Sequence, residues 1–382
     1  MTYDYSKSVD HILTAYPPER LEQSKTRLRA IWDLTTPPWS KLDRLPFFFT
    51  GVPFAHRFGP GIGEMGYSPA ETLEFLLEAI LARACIDDDY IPSLAPGIRQ
   101  GLIPTAYGAQ ESWDSDHFWV KPLVSSARDF LSLPRPDFAR DGWAAEVLAM
   151  VRAFRQATGH RLPIQMPDMQ GPLDLAANLL GTEHLIEEMV DHPQDVQAML
   201  RQLANDFNTF MRLVEAAAEG EFIPIHCHPM VWLPKERGMA LSEDLLAVIS
   251  PRLYRQFGVP HNEHIAAEFG GVILHSCGSI EHNLAELAQT QRLVGVNFSL
   301  NETDLVQSAG ILGDRVVLIV HPSPVSCHQL PILKAAEFVE YTFGFIKQQH
   351  ARVIPLIAPD AQMGTAECIE LCRLATRLSL NL

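Results

Sequence analysis

His275 and Cys277 stand one residue apart in GGVILHSCGS (270–279), where an apolar run meets a glycine turn. An imidazole nitrogen and a thiolate sulfur are both good ligands for a borderline metal, and a mixed pair of this kind suits zinc. Side chains alternate along a strand, so residues two apart share a face and can aim at one centre. The same spacing recurs in FIPIHCH (222–228), where His226 and His228 share a face. Other polar residues close similar runs: Asp168 in LPIQMPD, Asn297 in LVGVNFS, His321 in VVLIVHPS and Asp360 in VIPLIAPD. A lone histidine at such a place is commonly a hydrogen-bonded structural residue. Four imidazoles and a thiol at the ends of apolar runs point instead to a metal site, because each would otherwise need its own buried partner.

These residues share one end of something only if the runs are parallel strands. The runs are LPFFFTG (45–51), DDYIPSL (88–94), LPIQMPD (162–168), FIPIHCH (222–228), GVILHSC (271–277), LVGVNFS (293–299), VVLIVHPS (316–323) and VIPLIAPD (353–360). Segments of helical spacing lie between them. SPAETLEFLLEAILARAC opens with Ser68, Pro69 and Glu71, the pattern of a capping box with proline at the first helical position. Others are DGWAAEVLAMVRAFRQATG, the run from Gly181 to Glu219, SPRLYRQFGVPHNEHIAAEFG, EHNLAELAQ, DLVQSAGILG and KAAEFVEYTFGFIKQQ. Near-continuous apolar strands alternating with helices predict a parallel sheet, and eight units predict a (β/α)8 barrel, an α/β fold. The expected organisation is a helical extension over 1–44 and one barrel domain over 45–382, with an excursion at 95–135. Barrel enzymes carry their chemistry at the carboxyl ends of the strands, where these polar residues fall.

Several clusters read as structural. Cys368 and Cys372 are spaced four apart on the apolar side of the last helix, and His261 and His264 share a face in VPHNEHIAAEFG. The acids of DDDY (87–90) fit a solvated loop or a carboxylate site equally. GPGIGEMG (59–66) lacks the preceding strand and the basic residue of a phosphate cradle.

Composition narrows the function. The 382 residues are 47% hydrophobic, enough for a large core, and the formal charge is −16. That balance gives nucleic-acid phosphates no basic surface. MTYDYSKSVDHILTA (1–15) lacks the basic start and apolar run of a signal peptide, no apolar run reaches the roughly 20 residues of a membrane span, and the six cysteines have no regular spacing. The expectation is a soluble, cytoplasmic protein with reduced thiols.

On LPIQMPDMQGPLDLAANLLGTEHLIEEMVDHPQDV (162–196), SPRLYRQFGVPHNEHIAAEFGGVILHSCGSI (250–280), GDRVVLIVHPSPV (313–325) and VIPLIAPDAQMGTAECIELC (353–372), the chain resembles the uroporphyrinogen decarboxylase superfamily, in its branch of corrinoid-dependent methyltransferases. The resemblance implies a (β/α)8 barrel and zinc held by His275 and Cys277 of the HxCG motif. It also implies a corrinoid carried by a partner protein, since no corrinoid-binding motif is present. The family's third ligand is a cysteine just after the eighth strand. Here APDAQMGT has Asp360, Ala361 and Gln362 at that place, which leaves His228 or His226, His321 and Asp360 as replacements. The histidine pair ranks first if its strand neighbours that of His275. His321 stands where the family has a Gly-Asn pair, and the arginine-rich signature of the decarboxylase has no counterpart around LPFFFTGVPFAHRFG.

The function expected is metal-dependent transfer of a methyl group between a small methylated or methoxylated compound, or a thiol, and the corrinoid. Asp168, Asn297 and His321 would orient substrate or move protons. Two rival readings are cofactor-free decarboxylation or hydrolysis of a small acid, with His226 or His321 as general acid, and a non-catalytic binding subunit with a degenerate site.

Overall fold

The computed structural model describes residues 3–50, 68–97, 101–114, 117–225, 231–322, 333–360 and 362–380. The strands are β1 (Phe48–Phe49), β2 (Glu111–Asp114), β3 (His117–Val120), β4 (Ile164–Gln165), β5 (Phe222–Ile223), β6 (Met239–Ser242), β7 (Val272–His275), β8 (Leu293–Ser299), β9 (Val317–His321) and β10 (Val353–Ile357). The helices before β5 are α1 (Tyr5–Ala15), α2 (Pro18–Trp32), α3 (Pro69–Ala82), α4 (Leu102–Ala106), α5 (Ala127–Leu131), α6 (Gly142–Ala157), α7 (Pro172–Leu180), α8 (Thr182–Asp191) and α9 (Pro193–Ala218). After β6 come α10 (Pro251–Leu253), α11 (Val259–Phe269), α12 (Leu284–Leu287), α13 (Leu305–Leu312), α14 (Ala335–Gln349) and α15 (Thr365–Ser379). Among the described residues no helix is long and apolar enough to cross a membrane.

Six strands form one curled parallel sheet in the order β1-β10-β9-β8-β7-β6. Val, Ile and Leu dominate β7 to β10, and almost every residue in them is buried, as expected for a parallel sheet covered on both faces. β4 and β5 form a second parallel pair. Backbone bonds reach that pair from both edges of the sheet. On one side Asp89 N donates to Phe47 O and Leu94 bridges Ile164; on the other Ala240 N donates to Pro224 O and Gln170 bridges Ser242.

The capping box at Ser68 is present, with Glu71 N donating to Ser68 Oγ and Ser68 N donating to Glu71 Oε2. The run from Gly181 to Glu219 divides into α8 and α9 at Pro193, whose ring starts a new helix and cannot continue an old one. The excursion at 95–135 contains α4, the antiparallel β2–β3 hairpin and α5. GPGIGEMG lies outside the described residues.

Two expectations about the strands are corrected. The 88–94 run contributes a single bridge at Leu94 rather than a strand. β6, absent from the eight runs, is a full member of the sheet, and it lies between residues 222–225 and β7, since Ala240 N donates to Pro224 O and β7 pairs with β6 and β8. β5, the strand that precedes His226 and His228 in the sequence, therefore does not neighbour β7, the strand of His275. The cause is local: among the described residues between the 222–228 run and β6 there is a 3-10 turn, Lys235–Arg237, and no α-helix, and Gly238 allows the entry into β6. A Cβ on Gly238, at φ +142°, would lie 2.7 Å from the carbonyl carbon and oxygen of Gly271.

The DDDY run is neither a loop of three solvated acids nor a candidate site. Asp87 is exposed, but Asp88 is paired with Arg83 at 2.7 Å with both side chains buried, and Asp89 is paired with Arg27 at 2.8 Å. Asp88 Oδ2 and Asp89 Oδ2 also accept the N–H groups of Phe49 and Phe47. These pairs tie α2 and the end of α3 to β1. Removing one partner of a buried pair leaves an uncompensated charge, so Asp88→Ala should cost about 3–5 kcal/mol of unfolding free energy, while Asp87→Ala should stay within about 0.5 kcal/mol. Urea unfolding of the two variants checks this; equal losses would contradict the assignment.

Candidate metal centre

The parallel register sets the geometry. Ser242 is the register partner of His275, and His275 is the partner of Asn297. Residues level with one another on parallel strands project to the same face, so His275 and Asn297 stand side by side, and His275 Nδ1 lies 2.6 Å from Asn297 Oδ1. Asn297 is fully buried, and its amide nitrogen donates to Ile319 O at 2.8 Å. Because that partner is a carbonyl, which only accepts, the amide oxygen must be what faces His275. His275 then carries its proton on Nδ1 and keeps the lone pair on Nε2. The lone pair is the part of the ring that a metal needs.

Two residues further along, the chains leaving β6 and β7 repeat the pairing one level higher. Glu243 N donates to His275 O at 2.8 Å, and Cys277 N donates to Asp244 Oδ1 at 2.7 Å. Asp244 and Cys277 are brought together above His275, with Cys277 Sγ 3.5 Å from His275 Nε2. Among the described residues, Asp244, His275 and Cys277 form the one group of three such side chains, their ligand atoms all within 4.8 Å of one another. His275 is buried, Asp244 half-buried and Cys277 exposed, so the group opens to solvent on the sulfur side.

The surroundings are acidic. The Cys277 thiol, hydrogen-bonded to Asp244, is pushed up to about 12, first by the packing around its sulfur and then by the carboxylates of Asp244, Glu302 and Asp174. Without a cation the thiol keeps its proton. Glu243 points the other way, accepts from Asn262 Nδ2 of α11, and is raised to about 7 chiefly by burial. Asp174, in the first turn of α7, is raised well above the carboxylate range by burial and by Asp244 and Glu243.

The donor set fits a zinc-type ion. One thiol, one imidazole whose Nε2 is turned towards the thiol and one carboxylate make three ligands on the solvent-open side, the number of protein ligands found in catalytic rather than structural sites. Excess negative charge around a proton-bearing thiol is also what a divalent cation would relieve.

The other expected residues fall as follows. His321, at the end of β9, lies nearly parallel to His275, with ring centroids 6.4 Å apart and Nδ1 against Pro322 O. Asp168 is buried beyond β4 and outside the group of three. Asp360 is half-buried, and its Oδ1 accepts from Ala335 N at the start of α14. His226 and His228 lie outside the described residues. His261 and His264 are hydrogen-bonded to Gln197 and Asn205, and Cys368 and Cys372 are buried. Asp244 was not among the expected residues. Its signal is the pair of acids closing MALSED, the same polar ending that marks the other runs.

No family model matches the chain, and no curated protein matches it. Among solved structures, a methyltransferase from Methanosarcina mazei superposes on 93% of this chain and 98% of its own, with a TM-score of 0.67 and 16% sequence identity. At that identity the likeness establishes a shared fold.

Proposed function

We propose that this protein is a zinc-dependent methyltransferase of the corrinoid-dependent branch of the uroporphyrinogen decarboxylase superfamily, built on a (β/α)8 barrel. It would move a methyl group between a small methylated compound and a corrinoid carried by a partner protein. The observation that carries the reading is the convergence of His275, Cys277 and Asp244 at the carboxyl ends of two adjacent parallel strands. The fold shared with a methyltransferase over nearly the whole chain supports it.

His275 Nε2, Cys277 Sγ and the Asp244 carboxylate would hold the metal. When bound, zinc would supply a Lewis acid that holds a substrate thiol as thiolate or polarises a substrate oxygen. Cys277 would bind as the thiolate, its proton passing to solvent on the exposed sulfur side, and Asp244 would supply a carboxylate oxygen beside it. Asn297 would hold the proton on His275 Nδ1, leaving Nε2 for the metal. Substrate would enter from the solvent side, past Cys277, with the His321 ring flanking His275. A carboxylate in place of a second thiolate keeps the anionic charge of the ligand set while exchanging a soft donor for a hard one. That exchange favours activating an oxygen-bearing methyl donor, so a methoxylated compound is the proposed substrate class.

Protein purified without chelator should hold about one zinc per chain, and Cys277→Ser and Asp244→Asn should each lower metal affinity at least about tenfold. Methyl transfer from a methoxylated donor to reduced corrinoid should fall in step. Full zinc in Asp244→Asn together with its loss in Asp360→Ala, His226→Ala or His228→Ala would assign the third ligand elsewhere.

The raised thiol adds a pH signature. Below about 12 the metal-free Cys277 is protonated, so binding releases one proton and affinity rises with pH, about tenfold per unit between about pH 7.5 and 9. Isothermal titration should show this slope in the wild type and not in Cys277→Ser; a flat wild-type profile would contradict thiolate ligation.

A further inference from the structure

α7 begins at Pro172, and its first turn reaches under the chain leaving β6. Gly171 N donates to Ser242 O, and Ser242 N donates to Met169 O at 2.8 Å. The approach is close: a Cβ on Gly171 would lie 2.7 Å from Leu241 Cδ1 and 2.9 Å from Glu243 Oε1, so those side chains would have to shift. Asp174 is buried just inside this turn, and its two carboxylate oxygens accept from two consecutive backbone amides: Asp244 N to Oδ2 at 2.7 Å and Leu245 N to Oδ1 at 2.9 Å. Both amides open the short 3-10 turn Asp244–Ala247, whose first N–H groups would otherwise lack partners. Asp244 thus has its side chain tied to Cys277 N and its backbone tied to Asp174.

Resting on the metal reading above, we propose that Asp174 is a positioning residue for the metal centre: by gripping the amides of Asp244 and Leu245 it fixes the Asp244 carboxylate against His275 and Cys277, and it acts on metal affinity through Asp244. Residues that orient a ligand from behind typically change metal affinity by 10–100-fold when removed. Asp174→Asn keeps one acceptor oxygen and loses the other, whereas Asp174→Ala loses both.

The test is a double-mutant cycle read by Co2+ titration of the metal-free protein, following affinity and the visible absorption spectrum of the bound ion. Wild type, Asp244→Asn, Asp174→Asn, Asp174→Ala and Asp174→Asn/Asp244→Asn are compared, with circular dichroism of each metal-free form. The expected result is a loss of about tenfold or more in Asp174→Asn, a Co2+ spectrum shifted towards that of Asp244→Asn, and no further loss in the double variant. A general structural or charge effect would instead weaken the double variant by the product of the single losses, and that result overturns the proposal. So does wild-type affinity in Asp174→Asn. If Asp174→Ala fails to fold, Asp174→Asn decides alone. Failure of the metal reading is distinct: the wild type itself would bind no Co2+, or Asp244→Asn would bind it unchanged.

Discussion

The candidate centre depends on one register, in which Ser242, His275 and Asn297 stand level on three adjacent parallel strands. Shifting any of them by one residue would turn its side chains to the opposite face and disperse the group. With the register as it is, Asn297 meets His275, and two residues later Asp244 meets Cys277 through a backbone amide. Gly238 and Gly171 belong to the same constraint, since each removes a side chain from a place where β6 must approach its neighbours. The buried Val, Ile and Leu of β7 to β10 hold the strands in this alignment, so the core and the site depend on the same pairing.

Charge is the second layer. Asp174, Glu243 and Asp244 crowd the turn after β6, and Glu302 adds its field to Cys277. Burial and the neighbouring carboxylates raise the proton affinity of Asp174 and Glu243, an arrangement that is poor design for a purely structural turn. It is coherent for a place that receives a cation. Asp88 and Asp89 are buried with arginines against them, whereas Asp244 at the end of β6 faces a thiol and an imidazole.

The pairing of His275 with Cys277 was legible because two ligands at a period of two need no tertiary information. The parallel sheet was legible from continuous apolar runs, and the capping box at Ser68 from three residues alone. Asp244 was not. MALS is short, begins with residues of weak strand preference and has no α-helix among the described residues between it and the previous run, so the alternation of strand and helix that located the other strands passed over it. Missing β6 also set β5 beside β7, and the ranking of His226 and His228 first rested on that adjacency. Asp88 and Asp89 were opaque for a different reason: their arginines come from positions 27, 44 and 83, a pairing that only the fold creates.

The measurement that bears most directly on the central claim is X-ray absorption at the zinc edge of protein purified without chelator. The expected spectrum has one sulfur scatterer at about 2.3 Å and the remaining shell of nitrogen and oxygen at about 2.0–2.2 Å, with the sulfur lost in Cys277→Ser. A shell with two or more sulfurs, or a sulfur contribution that survives Cys277→Ser, would contradict a centre built from His275, Cys277 and Asp244.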